Sequence, residues 1–306
     1  MDFDAFVDDL DEETTPTEAD RNYWACFSLY DNGMIFAAHA VMLRNIDNCV
    51  DLGEKQSDLY EKIKLEHTVA SSKSRAMLAE DEWVQKGARQ QREDVGDSVQ
   101  IFKHLKKDST FLLETRVNMT SAECIALASR LEFGDSWMGA ICESFFVRQL
   151  SRHTHVACLL MHNPISSYLA KHKLYVRVDT FDNTVFDKSL MVVVKPLTAA
   201  DCYKHNINDC QHETPPHFFA FSSVTFLFQD TKASDAQRTP TCAKIYVEDM
   251  KVFRYTPEYF NTMVCVRFFS NLCRLWADTA RQLGDILYDE EPLAKLVAYM
   301  ERGPAY

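Results

Sequence analysis

Glycine is scarce in this chain, with 8 in 306 residues. The nearest two, Gly134 and Gly139, are not followed by Lys-Ser or Lys-Thr. Phosphate-cradling loops need closely spaced glycines to bring backbone N–H groups to the anion, so the P-loop and dinucleotide-binding fingerprints are excluded. A long uninterrupted apolar run is also lacking. The longest such stretch, around Met263 to Trp276, is broken by Arg267, Asn271 and Arg274 and is too polar to span a bilayer. Basic charge is in deficit, with 33 Lys and Arg against 45 Asp and Glu and a net charge of −12. That balance gives no electrostatic footprint for a nucleic-acid backbone. The clusters Lys103, Lys106, Lys107 and Arg148, Arg152 read as solvated faces. Finally, the ten cysteines show no regular framework and there is no secretory signal peptide. Free, mostly buried thiols in a reducing compartment are expected, hence an intracellular protein, with nucleus and cytoplasm fitting equally.

What is present suits a globular protein with a sizeable core: 46% apolar residues, 25% charged residues, 20 Phe and 12 Tyr. The acid is concentrated at one end. The first twenty residues hold nine acidic side chains and no Lys or Arg, leaving the body at −3. Phe3, Phe6, Val7 and Leu10 fall at i, i+3, i+4 and i+7, one face of a helix. Ten residues cannot hold a helix alone in water, so these four are expected to bind an apolar groove on a protein partner.

The pattern predicts an α+β fold: a helical N-terminal half, an antiparallel sheet of about five strands, and long C-terminal core helices. Residues 1–20 read as an acidic disordered tail, 21–153 as mainly helical, and 154–306 as sheet plus C-terminal helices sharing one core with 21–153. Asp31-Asn32-Gly33 is a turn signal before a helix to about Asn48. Residues 54–107 thin in apolar content. The pairs Asp58→Lys62 and Glu82→Lys86 predict an exposed helical arm there, with a break near Ser71-Ser72-Lys73-Ser74. Thr120-Ser121-Ala122-Glu123 is a capping box, and a further helix is expected from Asp135 or Ser136 to about Arg152. Period-two alternation at Lys173 to Asp179 predicts a strand. Leu190 to Val194, Phe218 to Phe228, Cys242 to Val247, Val252 to Tyr255 and His155 to Met161 supply the others. Thr256-Pro257 opens a helix carrying Phe260, Val264, Phe268, Leu272 and Trp276 at every fourth position, and a last helix follows Pro292.

Three constellations bear on chemistry. Residues 202–217, CYKHNINDCQHETPPH, hold Cys202, His205, Cys210 and His212, thiolate and imidazole ligands that can close a tetrahedron around zinc. His153, His155, Cys158 and His162 form a second His/Cys run. LEFGDSW, residues 131–137, resembles the nucleophile block of the GDSL esterases, and Asp209-Cys210-Gln211-His212 resembles their Asp-x-x-His block. That resemblance implies Ser136 as nucleophile, His212 as general base and Asp209 as its orienter. It covers about seven residues, and the family's glycine and asparagine blocks are not evident. Asp179 and Asp182, with Asp187 and Lys195, form a carboxylate group near a strand end. None of these outweighs the tail. The expected function is a non-enzymatic subunit or adaptor of an intracellular multiprotein assembly, with no cofactor, no nucleic acid and no membrane. A hydrolase or zinc-binding protein using 202–217 is the alternative.

Overall fold

A computed structural model describes residues 18–47, 54–89, 99–117, 119–131, 141–161, 172–183, 188–207, 218–230, 241–253 and 257–269. The chain divides into two compact units, Met1–Thr68 and Val69–Tyr306.

In the first unit, α1 (Glu18–Asp31) and α2 (Ile35–Asp47) are joined at Gly33, whose φ of 77° is the left-handed conformation that glycine adopts without steric cost. A third helix, α3 (Glu54–Leu78), begins in this unit and passes Thr68 into the second. Cys26, Ile35, Ala38, Met42, Leu59 and Ile63 are buried. Asn45 Nδ2 donates to the Tyr60 hydroxyl at 2.9 Å, linking α2 to α3, and the His39 and His67 rings stack at 3.7 Å.

The second unit is built on a nine-stranded antiparallel sheet in the order β1-β2-β3-β10-β9-β7-β6-β5-β4. Its strands are β1 (Trp83–Arg89), β2 (Val99–His104), β3 (Phe111–Val117), β4 (Ile141–Ser151), β5 (Thr154–Met161), β6 (His172–Asn183), β7 (Ser189–Pro196), β9 (Ser223–Asp230) and β10 (Thr241–Glu248). A small separate pair is made by β8 (Phe218–Ala220) and β11 (Lys251–Phe253). Helix α4 (Ser121–Ser129) opens with the expected capping box, Thr120 and Glu123 bonding each other's backbone N–H groups. Cys124, Ile125, Ala126, Leu127 and Ala128 are all buried, as befits a helix apolar all round. A six-residue helix, α5 (Ala199–Lys204), and a helix over 258–269, α6, complete the described elements.

The expected helical half with a five-stranded sheet is therefore corrected. Glu82→Lys86 is not a helical pair. Glu82 ends a 3-10 turn and accepts a hydrogen bond from Lys106 Nζ at 3.2 Å, with His104 Nε2 3.3 Å from its carboxylate, while Lys86 lies on β1. The Ser71–Ser74 stretch does not break α3. The helix expected up to Arg152 is instead an edge strand, β4, whose pairing slips at three places. Each bulge interrupts the alternation by which a strand is recognised in sequence. The repeat Phe260, Val264, Phe268 is displaced by one residue in α6. Asn261, Cys265 and Phe269 are buried, and Phe260 is exposed. Residues 270–306, with Leu272, Trp276 and the helix expected after Pro292, lie outside the described residues.

Few glycines means that tight turns fall to other residues. Ser109, Lys188, Asn206 and Asp249 all take φ between 52° and 56°. Two of these turns receive α6. Asn261 Nδ2 donates to Ser109 Oγ at 3.1 Å and to the Met250 carbonyl at 2.8 Å, and its Oδ1 accepts from Val252 N–H at 2.9 Å. Lys103 of β2 pairs with Glu258 in the first turn of the helix.

On the opposite side of the sheet, Lys73 of α3 reaches Glu248 and donates to Ser223 Oγ at 2.8 Å, with its Nζ 5.4 Å from the Tyr246 ring centroid. Burial raises the affinity of Glu248 for a proton, yet hydrogen bonds from Lys73, Tyr246 and Ser223 outweigh it and hold the carboxyl below its ordinary range. Burial lowers Lys73 in the same way, and here the pull of Glu248 is not enough, because Lys195 and Lys107 push the same way as burial.

Two outcomes follow from these contacts. Asn261→Leu strands the Val252 N–H and two acceptors inside the core and costs about 2–3 kcal/mol, read by urea denaturation. Lys73→Ala leaves a half-buried carboxylate uncompensated and costs roughly 2 kcal/mol at pH 7. Because the folded pKa of Glu248 is depressed, its contribution is complete above the ordinary carboxylate value of about 4.3 and fades as pH falls through the folded value. The Lys73→Ala deficit therefore shrinks toward pH 3.

Candidate functional site: the apolar interior of the sheet

Residues directly opposite one another on antiparallel strands point to the same face. Strand pairing therefore defines rungs that cross the sheet beneath α4 and α6. One runs Lys103, Phe111, Val247, Val224, Val194, Val178, His155 and Gln149, over eight strands from β2 to β4. The next runs Ile101, Leu113, Ile245, Phe226, Val192 and Thr180. A third runs Thr115, Ala243, Phe228, Leu190 and Asp182. From Phe111 to Val178, from Ile101 to Val192 and from Ala243 to Leu190 these rungs are carbon. Together with Ala157, Leu159, Met161, Leu174 and Val176 they form one buried cluster with the apolar side chains of α4, Met250, Val252, Cys265 and Phe269.

The outer face holds most of the charge. Lys244 pairs with Glu114 at 2.8 Å, and Arg177 Nε donates to Asp179 Oδ1 at 2.7 Å, where Thr154 Oγ1 also donates at 2.9 Å. Alternation produces this segregation, since the side chains of successive strand residues leave opposite faces. For the same reason Asp179 and Asp182, three apart on β6, are divided between the faces and do not act as a carboxylate pair. Lys195 shares the Arg177 face, and Asp187 lies outside the described residues.

The remaining sequence candidates are separate from this interior. Cys202 is buried on α5 and disulfide-bonded, so its sulfur is not a thiolate ligand, and the expectation of free thiols fails at that residue. His205 closes α5, and partial burial, with Lys204, Arg177 and Arg148 nearby, lowers its pKa. Cys210 and His212 lie outside the described residues, as do Ser136, Asp209, His162, Phe3, Phe6, Val7 and Leu10. Among the described residues no group of three or more His, Cys, Asp or Glu is placed to hold a metal. Cys26, Cys124, Cys158, Cys242 and Cys265 form no disulfide. Burial pushes Cys265 up to about 12 and Cys26 up to about 11, which removes them as nucleophiles at neutral pH. No helix among the described residues is long and apolar enough to cross a membrane.

No family model matches the sequence, and no curated protein matches it. Solved structures do. Human StAR-related lipid transfer protein 5 superposes with a TM-score of 0.52 at 9% identity, over 72% of this chain and 97% of that one. Human STARD10 superposes with a TM-score of 0.50 at 10% identity, over 76% of this chain and 87% of that one. The chain has the StAR-related lipid-transfer fold. This finding overturns the adaptor or structural-subunit expectation: the second unit is organised by a carbon-lined sheet face under two helices. Sequence reading missed this face because the inner side of a sheet has no local motif. Its signal is the two-sided apolar character of Leu190 to Val194 and Phe218 to Phe228, which reads equally as plain core.

Proposed function

We propose that the protein binds a lipid in the interior between the inner sheet face and helices α4 and α6, and carries it shielded from water. The observation that supports this most is the carbon surface of the inner rungs under two helices, in a chain that covers nearly all of a human lipid-transfer protein's fold. Removing apolar surface from water favours transfer by roughly 25 cal/mol per Å². An acyl or polycyclic ligand gains that energy on entering such a layer, while the outer face keeps its ion pairs with solvent and needs no change. Nothing in the arrangement calls for a nucleophile or a metal.

The test is direct. Protein purified under native conditions and extracted with organic solvent yields about one lipid per chain by mass spectrometry, and the delipidated protein takes up a fluorescent acyl probe. Ala157→Phe places a ring on the inner face and lowers uptake by roughly tenfold, at an overpacking cost of about 1–3 kcal/mol that thermal melting reports separately. Absence of both co-purifying lipid and uptake of acyl or polycyclic probes by the wild-type chain overturns the reading.

A further inference from the structure

The outer face of the sheet carries a row of like charge that an apolar interior does not explain. Arg148 of β4 is paired with Val156 of β5, Val156 with Arg177 of β6, and Arg177 with Lys195 of β7, so the four follow one rung of that face. Arg177 and Lys195 are directly opposite, an arrangement of like charges that destabilises a sheet. Helix α5 adds to the row. Arg148 Nη1 donates to the His205 carbonyl at 2.9 Å, which brings the exposed Lys204 to the same end. Burial is the first cause of the lowered His205 pKa, and Lys204, Arg177 and Arg148 add to it, with Asp201 opposing. At the other end Lys195 acts on Lys73 of α3 as a like charge.

The acids that border the row are already committed. Asp179 takes Arg177 Nε and Thr154 Oγ1, and Asp201 closes the capping box on Thr198. Glu248 is held by Lys73, Tyr246 and Ser223. Glu143 lies two rungs away, opposite Leu160, on a rung that continues to Lys173. Among the described residues no carboxylate pairs with Arg148, Lys195 or Lys204. The chain as a whole is acidic, at −12, so this local excess of cations does not follow from composition. Strands are about 4.8 Å apart, so the row from β4 to β7 spans roughly 14 Å. One carboxylate or one inorganic phosphate reaches only part of it. A forked guanidinium takes phosphate oxygens in pairs, and each ammonium meets them as a point charge. We propose that the outer row of Arg148, Arg177 and Lys195, with Lys204 at its α5 end, binds a ligand carrying two or more phosphate groups, either a soluble polyphosphate or the headgroup of a multiply phosphorylated lipid. The site is on the opposite face from the carbon interior and does not depend on what that interior holds.

The full-length protein is titrated calorimetrically with inositol hexakisphosphate and with inorganic phosphate at physiological ionic strength. It is also floated with phosphatidylcholine vesicles, with and without phosphatidylinositol bisphosphate. Micromolar binding of a polyphosphorylated probe is expected, with inorganic phosphate weaker by roughly tenfold or more. Lys195→Gln and Arg148→Gln each weaken that binding by about five- to tenfold. Lys62→Gln removes an equal charge from an exposed position of α3 and leaves it unchanged. Lys195→Gln does not lower the melting temperature, because it relieves repulsion from Arg177 and Lys73. Occupation also raises the His205 pKa, read by NMR, since phosphate offsets the cations around that ring. Binding of inositol hexakisphosphate identifies a soluble source and binding to the bisphosphate vesicles alone a headgroup, and either result supports the site. No binding of either probe, or an equal loss in the Lys62 variant, overturns it and leaves the lipid-binding reading untouched.

Discussion

A sheet whose central strands are apolar on both faces cannot be left bare on either side, and the second unit is organised by that requirement. On β7 the residues Leu190, Met191, Val192, Val193 and Val194 are all buried, so alternation does not offer water one side of the strand. Each face needs its own cover. The inner face has α4 and α6. The outer face has the part of α3 after Thr68 over β9 and β10, and α5 with Leu197 over Val156, Cys158 and Tyr175. The outer cover is pinned by Lys73, Glu248 and Ser223, directional contacts that fix one register. Beyond the first turns of α6 the inner cover rests on carbon, which tolerates a change of shape more readily than paired charges do.

The attachment of α6 extends this contrast. Its first turns are held by Asn261 and by the pair Lys103–Glu258, while Cys265 and Phe269, further along, meet only the buried cluster and ring contacts to Phe111 and Phe268, apart from long Cys265 sulfur contacts to Asn261 and Met250. Polar contacts at one end and apolar contacts beyond it make a helix that is located by its start. The turns that receive it are formed by Ser109 and Asp249 in left-handed conformations that glycine would adopt more cheaply. Ser109 supplies a hydroxyl to Asn261, which glycine lacks. That contact gives a physical reason for a non-glycine residue at one of these turns.

Much of the central sheet was legible in the sequence and its margins were not. Residues 173–179, 190–194 and 242–247 show either clean alternation or short apolar runs, and they fall within β6, β7 and β10. The capping box at Thr120 also reads correctly, since its two bonds are local. The edges failed for a common reason. β1 and β4 are each paired on one side only, and both contain bulges. A charged residue on such an edge falls at a spacing that mimics a helical i,i+4 pair, as Lys86 of β1 does with Glu82 of the preceding 3-10 turn. Local pattern cannot report that a segment is the rim of a nine-stranded sheet, because that fact resides in pairings such as Gln100 with Glu114 and Ile141 with Met161. The candidate site was hidden by the same logic. Inner-face residues of different strands, such as His155 and Val178, are separated in sequence and become neighbours only through the register of β5 and β6.

Identity of 9–10% to proteins of the same fold is intelligible in these terms. The fold requires carbon at alternate positions on enough strands, a register that keeps those positions aligned, and covers on both faces. Val, Ile, Leu and Phe satisfy the first requirement almost interchangeably when total volume is kept. Little of the sequence is then constrained by residue type, and a comparison of letters finds nothing while a comparison of strand order finds the whole. The exceptions are positions where a polar group is buried on the inner face. There the surrounding carbon makes any unmet donor or acceptor costly, so the choice of residue carries chemical information. In this chain such positions include Thr115 on β3, Thr241 on β10, His155 on β5 and Asp182 on β6.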